Sequence, residues 1–238
     1  DVVDEHYRAC DRIVGQALEF ADPSTLFIVL SDHGMNSFRR GVNLNTWLYE
    51  HGFLALKKGI APGAEAGDFL RAVDWSRTQA YALGLSSIYL NLAGREAQGI
   101  VKQGQAAQVK TQIAGGLAGL GDPQDGQIAI SSVVPSEQLY SGPYLHEAPD
   151  LLVNFAAGYR ASWGTPLGGV PEGLFEDNTK KWAGDHAVDP QLVPGVLMMN
   201  RLFHISGAGP GLADLAPTIL AALRVLKGPA MEGSSLLQ

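Results

Sequence analysis

Cysteine is almost absent from this sequence, since Cys10 is the only one among 238 residues. A single thiol cannot close an intrachain disulfide, and no second Cys or His lies near Cys10 at the spacing of a metal finger. These absences exclude a disulfide-stapled scaffold. We expect Cys10 to be a core residue on one face of a helix rather than a reactive thiol.

Positive charge is also scarce, because 17 Lys and Arg residues face 24 Asp and Glu residues, for a net charge of −7. An acidic chain offers no electrostatic footprint for a nucleic-acid polymer or an anionic membrane surface. A small anionic substrate would need positive charge supplied locally, by a bound metal or by a few Lys and Arg side chains.

Long apolar runs are missing as well, and none approaches the roughly 18 residues needed to cross a bilayer. The sequence opens at Asp1 without an initiator Met, a basic region or an apolar signal segment, so we expect the native N-terminus to lie elsewhere. Cellular location is therefore not predicted, and the cytoplasm and the periplasm both stay open.

What the chain does have is 46% hydrophobic residues, enough to bury the core of one large domain or of a domain with a subdomain. Residues 3–18 repeat apolar side chains at helical spacing. Residues 25–30 form a continuous apolar run that predicts a central strand covered on both faces. A helix, a short linker and a buried strand predict an α/β fold with a largely parallel central sheet flanked by helices.

The middle of the chain has a different pattern. Half-exposed strands are predicted at 87–92 and 127–134, with a helix at 106–117 between them. Buried strands return at 150–155 and 196–199, and Asp214 can cap a closing helix. We therefore predict a core part at 1–78, an inserted α+β subdomain at 79–149 and a second core part at 150–238.

The first chemical motif is Ser-Asp-His-Gly at residues 31–34, directly after the predicted strand at 25–30. Open α/β sheets place ligands at the carboxyl ends of their strands. The carboxylate of Asp32 and the imidazole of His33 suit Zn²⁺, provided that the chain bends so that both side chains reach one ion. A capping Asp beside a surface His explains the motif equally well. A Ser-His-Asp triad is excluded, because three consecutive residues cannot adopt triad geometry.

A second Asp-His pair ends at His186 in a polar, turn-rich segment before the predicted strand at 196–199. A single loop histidine is more often a solvated surface residue. Two Asp-His dipeptides, each beside a Gly and a core strand, favour a shared site.

Several segments carry a resemblance to a known family. Residues 28–35, with the sequence IVLSDHGM, and residues 177–186, which end in Gly-Asp-His, resemble type I phosphodiesterase/nucleotide pyrophosphatases, a branch of the alkaline phosphatase superfamily. Further similar segments lie at 81–84, 88–91, 148–151 and 214–218. The resemblance implies an alkaline-phosphatase-like core that hydrolyses a small phosphate ester.

The resemblance also implies two divalent ions, usually zinc with manganese as an option, and a Thr or Ser nucleophile. Asp32 and His33 would bind the ion shared with the nucleophile, and His186 would bind the other. Three cations in matching segments, Lys180, Lys181 and Arg160, would meet the substrate's anionic oxygens.

The family pattern also includes an earlier Asp-bearing strand, the nucleophile and an Asp-x-x-x-His pair, none of which is visible in this sequence. We therefore expect a C-terminal portion with an incomplete core, inactive alone and prone to homo-oligomerise through an exposed sheet or edge. The alternatives are phosphomonoester, phosphonate or sulfate ester hydrolysis, phosphosugar mutase chemistry, and a catalytically silent binding module.

Overall fold

The computed structural model describes residues 1–203 and 209–237. The α-helices in these ranges are α1 (Val2–Leu18), α2 (Leu44–Glu50), α3 (Gln103–Leu117) and α4 (Leu215–Ala222). The strands are β1 (Ile28–Leu30), β2 (Asn36–Val42), β3 (Ala80–Ala82), β4 (Ser87–Leu90), β5 (Ile130–Pro135), β6 (Leu151–Phe155), β7 (Gly158–Ala161), β8 (Phe175–Asp177), β9 (Gly184–Asp185) and β10 (Leu197–Met199).

The chain forms two compact units, which are described separately. Unit 1 combines Asp1–Gly34 with Gly195–Gln238, and unit 2 is Met35–Pro194. The predicted division at residues 78 and 149 concerns an insertion into a family core. The two compact units do not bear on such an insertion, so it stays a prediction.

Unit 1 begins with α1, which confirms the helix predicted over residues 3–18. The carboxylate of Asp1 accepts a hydrogen bond from the Val3 amide at 3.0 Å and so caps the first turn. No residue of α1 is buried, and Cys10 is exposed. The expected core position of Cys10 is therefore wrong. Amphipathic spacing indicates which helix face can be buried, but it does not specify an element that covers that face.

The apolar run at 25–30 and the one at 196–199 do form strands, and β1 pairs with β10 in antiparallel register, Ile28 opposite Met199. The prediction that these strands are buried on both faces is wrong, because Leu30 is 44% exposed and Met198 is 55% exposed. An apolar run makes burial favourable, but burial on both faces also needs layers packed above and below the strand.

Unit 2 holds two four-stranded sheets. In one sheet β2 lies between β7 and β8 and also pairs with β9, and the other sheet has the strand order β3, β4, β6, β5. The described chain is thus a mixed α/β structure, but a largely parallel central sheet is not confirmed. Only the β2–β7 pair is parallel among the strand pairings of the described residues.

A short connection explains part of this topology. Four residues join β3 to β4, which pair in antiparallel register. A parallel pair needs a crossover of about a dozen residues or more, whereas antiparallel neighbours need only a hairpin. The apolar runs predicted the strands but carried no information on the direction of their partners.

The core of unit 2 lies where α2 and α3 meet the β3–β4–β6–β5 sheet. The strand predicted at residues 150–155 is present as β6, but only Leu151, Val153 and Phe155 are fully buried, so one of its faces is less covered than predicted. The two helices approach closely at Gly116 of α3, where an added Cβ would lie 2.7 Å from the Trp47 ring. A helix-interior glycine, costly for helix propensity, is explained by that contact.

The elements predicted within residues 79–149 are present as β4, α3 and β5. Across the described residues, no helix combines the length and the apolar character needed to span a membrane. Self-association through an exposed sheet or edge stays a prediction.

Candidate functional site

The first Asp-His pair lies in unit 1, immediately after β1. The chain bends at Asp32, and the bend brings the carboxylate onto the neighbouring imidazole. Asp32 Oδ2 lies 3.4 Å from His33 Nε2, and the Asp32 side chain is 75% exposed. The local bend that the sequence required for a shared ligand pair is therefore present.

The His33 tautomer follows from a second contact, since Nδ1 lies 2.8 Å from the Gly34 carbonyl oxygen. A carbonyl can only accept, so Nδ1 carries the proton and donates it. In the neutral ring Nε2 then offers a lone pair close to a carboxylate oxygen. Two electron-rich atoms at this separation are favourable only with a proton or a cation between them. A histidine that donates its other ring N–H to a backbone carbonyl is the common arrangement in metal sites.

The distance also matches metal coordination. Two ligand atoms each about 2.0–2.1 Å from a tetrahedral zinc ion are separated by about 3.3 Å. The observed Asp32–His33 separation is 3.4 Å. This dipeptide therefore supplies one carboxylate oxygen and one imidazole nitrogen at the spacing of two ligands on one ion.

Ser31 fixes the position of this loop, a role that the sequence did not indicate. Its amide donates to the Val196 carbonyl at 3.0 Å, and its Oγ accepts from the Val196 amide, also at 3.0 Å. A Cβ added at Gly195 would lie 2.6 Å from the Ser31 carbonyl oxygen, so only glycine permits this close approach. The Asp32–His33 bend is thus anchored to the segment that leads into β10.

The second Asp-His pair lies in unit 2, where Asp185 of β9 pairs with Asn36 of β2. Asp185 Oδ1 accepts from the amides of His186 at 2.8 Å and Ala187 at 3.0 Å. Asp185 Oδ2 lies 2.9 Å from Nε of Arg160. Both carboxylate oxygens are therefore engaged within the protein.

Arg160, on β7, is buried against two aromatic rings that are tilted by 59° to each other. Its guanidinium carbon lies 4.1 Å from the ring centroid of Phe38 and 4.2 Å from that of Trp163. Burial lowers the pKa of Arg160, whereas the negative charges of Asp185 and Glu176 raise it. The guanidinium stays charged in either case. It is neutralised locally by Asp185.

His186 follows this buried pair, and its side chain is 50% exposed. His186 Nδ1 lies 3.8 Å from Asp185 Oδ1, too far for a hydrogen bond. The loop therefore presents the imidazole while its carboxylate faces inward.

The predicted substrate-binding cations have different surroundings. Lys180 and Lys181 are exposed, and Lys180 Nζ lies 4.4 Å from the Trp163 ring centroid. The loop that carries them is held by Asn178, whose side-chain amide donates to the Phe38 and Trp182 carbonyls. Arg160 is only 2% exposed and already paired, a placement that does not favour direct contact with a substrate.

The predicted site residues thus divide between the units. Asp32 and His33 lie together in unit 1, and His186, Lys180, Lys181 and Arg160 lie in unit 2. Within residues 1–203 and 209–237, no three or more His, Cys, Asp or Glu side chains form a group that could hold a metal ion. The donors available, one carboxylate and two imidazoles, fit zinc or manganese by their chemistry.

Sequence reasoning missed the supporting residues, chiefly Ser31, Asp185 and Trp163. One signal was available for the Arg160 pair. A charged residue within the strand-like run Gly-Tyr-Arg-Ala at residues 158–161 indicates a buried charge, and a buried charge requires a partner.

Comparison with known protein families places this chain in a family of phosphoric ester hydrolases. The family model described as type I phosphodiesterase / nucleotide pyrophosphatase matches residues 1–188, a span that includes both Asp-His pairs. The chain belongs to this family, as the resemblance of its motifs implied. No curated protein matches the sequence.

Proposed function

We propose that this chain forms part of a metal-dependent phosphodiesterase or nucleotide pyrophosphatase. Asp32 and His33 hold one divalent ion and His186 holds a second, zinc in the first instance and manganese as the alternative. The Thr or Ser nucleophile lies outside these 238 residues. Lys180 and Lys181 meet the anionic oxygens of a small phosphate-ester substrate.

The observation that carries the proposal is the Asp32–His33 pair. The 3.4 Å between Oδ2 and Nε2, with Nδ1 donating to the Gly34 carbonyl, is the arrangement of a ligand pair with its imidazole already oriented. The proposal is also supported by the family match, which ends at residue 188 and therefore contains His186.

The residues of this chain have distinct tasks in the proposed reaction. When bound, the divalent ions supply Lewis-acid charge that lowers the pKa of the attacking hydroxyl and offsets charge on the phosphoryl oxygens. Asp32 contributes an anionic donor and His33 a neutral one. Lys180 and Lys181 are exposed and can approach a substrate by small side-chain movements, because no ion pair of either ammonium group occurs among the described residues.

Zinc titration of the 238-residue chain tests the ligand assignment. We expect His33→Ala to weaken zinc binding by about tenfold or more, because it removes one of the two donors that this chain supplies to the first ion. His186→Ala should abolish binding of a second ion. Affinity is measured by competition with a chromophoric chelator.

His146→Ala is the matched control, because His146 also lies next to an acidic residue, with Nε2 3.7 Å from Glu147 Oε1, and is 71% exposed. This variant should leave zinc affinity unchanged. Unchanged affinity in both His33→Ala and His186→Ala would overturn the ligand assignment.

Turnover of bis(4-nitrophenyl) phosphate tests the placement of the nucleophile. The zinc-loaded chain should release no nitrophenolate above the zinc-only background. Rapid turnover by the purified chain would show that the nucleophile is present within it, and a phosphomonoester, phosphonate and sulfate ester panel would then define the reaction class.

A further inference from the structure

Arg160 has the surroundings of a residue that holds another group in place. It lies on β7, which is parallel to β2, while β9 with Asp185 pairs antiparallel with β2 near its start. The register of three strands therefore brings residues 25 positions apart in sequence into contact. From this geometry we infer that Arg160 is a positioning residue that orients His186 through the carboxylate of Asp185. The inference rests on the proposed ligand role of His186.

The contacts form a continuous chain from Arg160 to His186. Arg160 Nε meets Asp185 Oδ2 at 2.9 Å, and Asp185 Oδ1 accepts from the His186 amide at 2.8 Å and the Ala187 amide at 3.0 Å. The Asp185 carboxylate is thus hydrogen-bonded at Oδ1 and ion-paired at Oδ2. The backbone on both sides of the His186 Cα therefore has little freedom to rotate.

The guanidinium itself is fixed by its surroundings. The rings of Phe38 and Trp163 lie on it at 4.1 and 4.2 Å, and one terminal N–H donates to the Ala161 carbonyl at 2.8 Å. The two ring planes are tilted by 59° with their centroids 5.8 Å apart, so the rings form a corner against which the guanidinium packs. The delocalised and weakly hydrated guanidinium of Arg suits contact with aromatic rings better than the strongly hydrated ammonium of Lys.

The same contacts keep Asp185 from serving as a ligand. A buried guanidinium without its partner carries a large desolvation penalty, so the Asp185 carboxylate cannot turn outward at low cost. His186 is then the only side chain of the 185–186 pair that reaches solvent, at 50% exposed. Arg160 thereby sets the donor that this loop presents, the imidazole of His186.

A double-mutant cycle in the 238-residue chain tests this inference. Arg160→Met should weaken zinc binding 10- to 100-fold, the range found for residues that support metal ligands. In the His186→Ala background, where only the ion at Asp32 and His33 is still titrated, the same substitution should have no effect on zinc affinity. Equal weakening in both backgrounds would show that Arg160 acts through general stability, and would overturn the inference.

Two further variants separate positioning from structure. Arg160→Met with Asp185→Leu replaces the ion pair by apolar side chains, and such replacements often retain stability. We expect this double variant to keep the wild-type unfolding midpoint but not zinc affinity. Recovery of both would contradict positioning. Arg160→Lys should bind zinc as weakly as Arg160→Met, because Lys lacks the planar, weakly hydrated guanidinium that packs against the two rings.

Amide hydrogen exchange gives a readout that needs no metal. Arg160→Met should accelerate exchange at His186 and Ala187 by about tenfold or more, as expected when a charge-assisted bond worth about 1.5–3 kcal/mol is freed. Arg95→Met is the control, since Arg95 forms a comparable pair with Asp150 at 2.7 Å elsewhere in unit 2. It should leave both amides unchanged.

The two readouts also distinguish failure of this inference from failure of the proposed function. Unchanged zinc affinity in His186→Ala would remove the ligand role and with it the metal-related purpose of Arg160. Unchanged exchange at His186 and Ala187 in Arg160→Met would overturn the mechanical link even if His186 binds zinc.

Discussion

Asp32 and Asp185 each precede a histidine, but their carboxylates have opposite surroundings. The side chain of Asp32 is 75% exposed and one oxygen faces the His33 ring, whereas that of Asp185 is 11% exposed and both oxygens are engaged by Arg160 and the loop backbone. The same dipeptide can therefore present two ligands or one. The comparison supports the proposed assignment, in which Asp32 and His33 act together and His186 acts without Asp185.

The largest expected effect comes from breaking the buried ion pair of Arg160 and Asp185. Asp185→Asn should lower the free energy of unfolding by about 3–5 kcal/mol, because it leaves the Arg160 charge buried and uncompensated. Asp32→Asn in the metal-free chain should change it by less than about 0.5 kcal/mol, as for other surface substitutions.

Urea unfolding is followed by tryptophan fluorescence for unit 2, where the four Trp residues, at 47, 75, 163 and 182, all lie. Far-ultraviolet circular dichroism follows it for unit 1, which contains Asp32 and the 17-residue helix α1. Asp32→Asn serves as the internal comparison for Asp185→Asn. Equal destabilisation by the two substitutions would remove the distinction between an engaged and an available carboxylate.

A smaller effect tests how the first loop is held. Ser31→Ala removes the Oγ that accepts from the Val196 amide at 3.0 Å. Loss of about 1 kcal/mol of hydrogen bonding corresponds to exchange about fivefold faster at that amide. Hydrogen exchange at Val196 is the measurement.

Ser235→Ala is the control for this loop, because Ser235 also accepts a backbone amide in unit 1, that of Leu237 at 3.2 Å. It should leave Val196 unchanged. Slow exchange at Val196 in Ser31→Ala would mean that the Asp32–His33 bend is anchored by other contacts.

Much of the site's location could be predicted from the sequence. Asp32 and His33 follow an apolar strand, and local pattern was enough to place them at its end. Arg160 and Asp185 were not recognised as a pair because their contact depends on the register of β7 and β9 on β2. Local sequence does not encode that long-range register.

The fold was likewise predicted only in part. Helix α3 and strands β4 and β6 were identified from periodicity, which is a local property. The direction of strand pairing and the exposure of β1 depend on which elements pack together. An apolar run alone does not determine either.

The smallest expected effect concerns Asp22, whose carboxylate is exposed but accepts several hydrogen bonds. Ser24 and Thr25 donate to Asp22 through their hydroxyls and amides, and these bonds lower the pKa of Asp22 to about 2. A lowered pKa in the folded state stabilises the fold above the ordinary carboxyl pKa of about 3.9, and this contribution is lost as the pH falls towards 2.

A ¹³C carboxyl titration of Asp22 checks the sign of this effect. A titration midpoint near the ordinary carboxyl pKa would show that Ser24 and Thr25 do not stabilise the charged Asp22 carboxylate. Solvent exposure alone would then distinguish carboxylates that can bind a ligand from those that cannot. Ser24→Ala should move the midpoint upward, since it removes the hydroxyl with the largest influence on this pKa.

Zinc K-edge X-ray absorption on the loaded chain tests the central claim most directly, because it detects imidazole bound to the metal itself. The account predicts a first shell of nitrogen and oxygen with imidazole outer-shell scattering that decreases in His33→Ala and again in His33→Ala with His186→Ala. Spectra that are the same for the wild-type chain and both variants would contradict it.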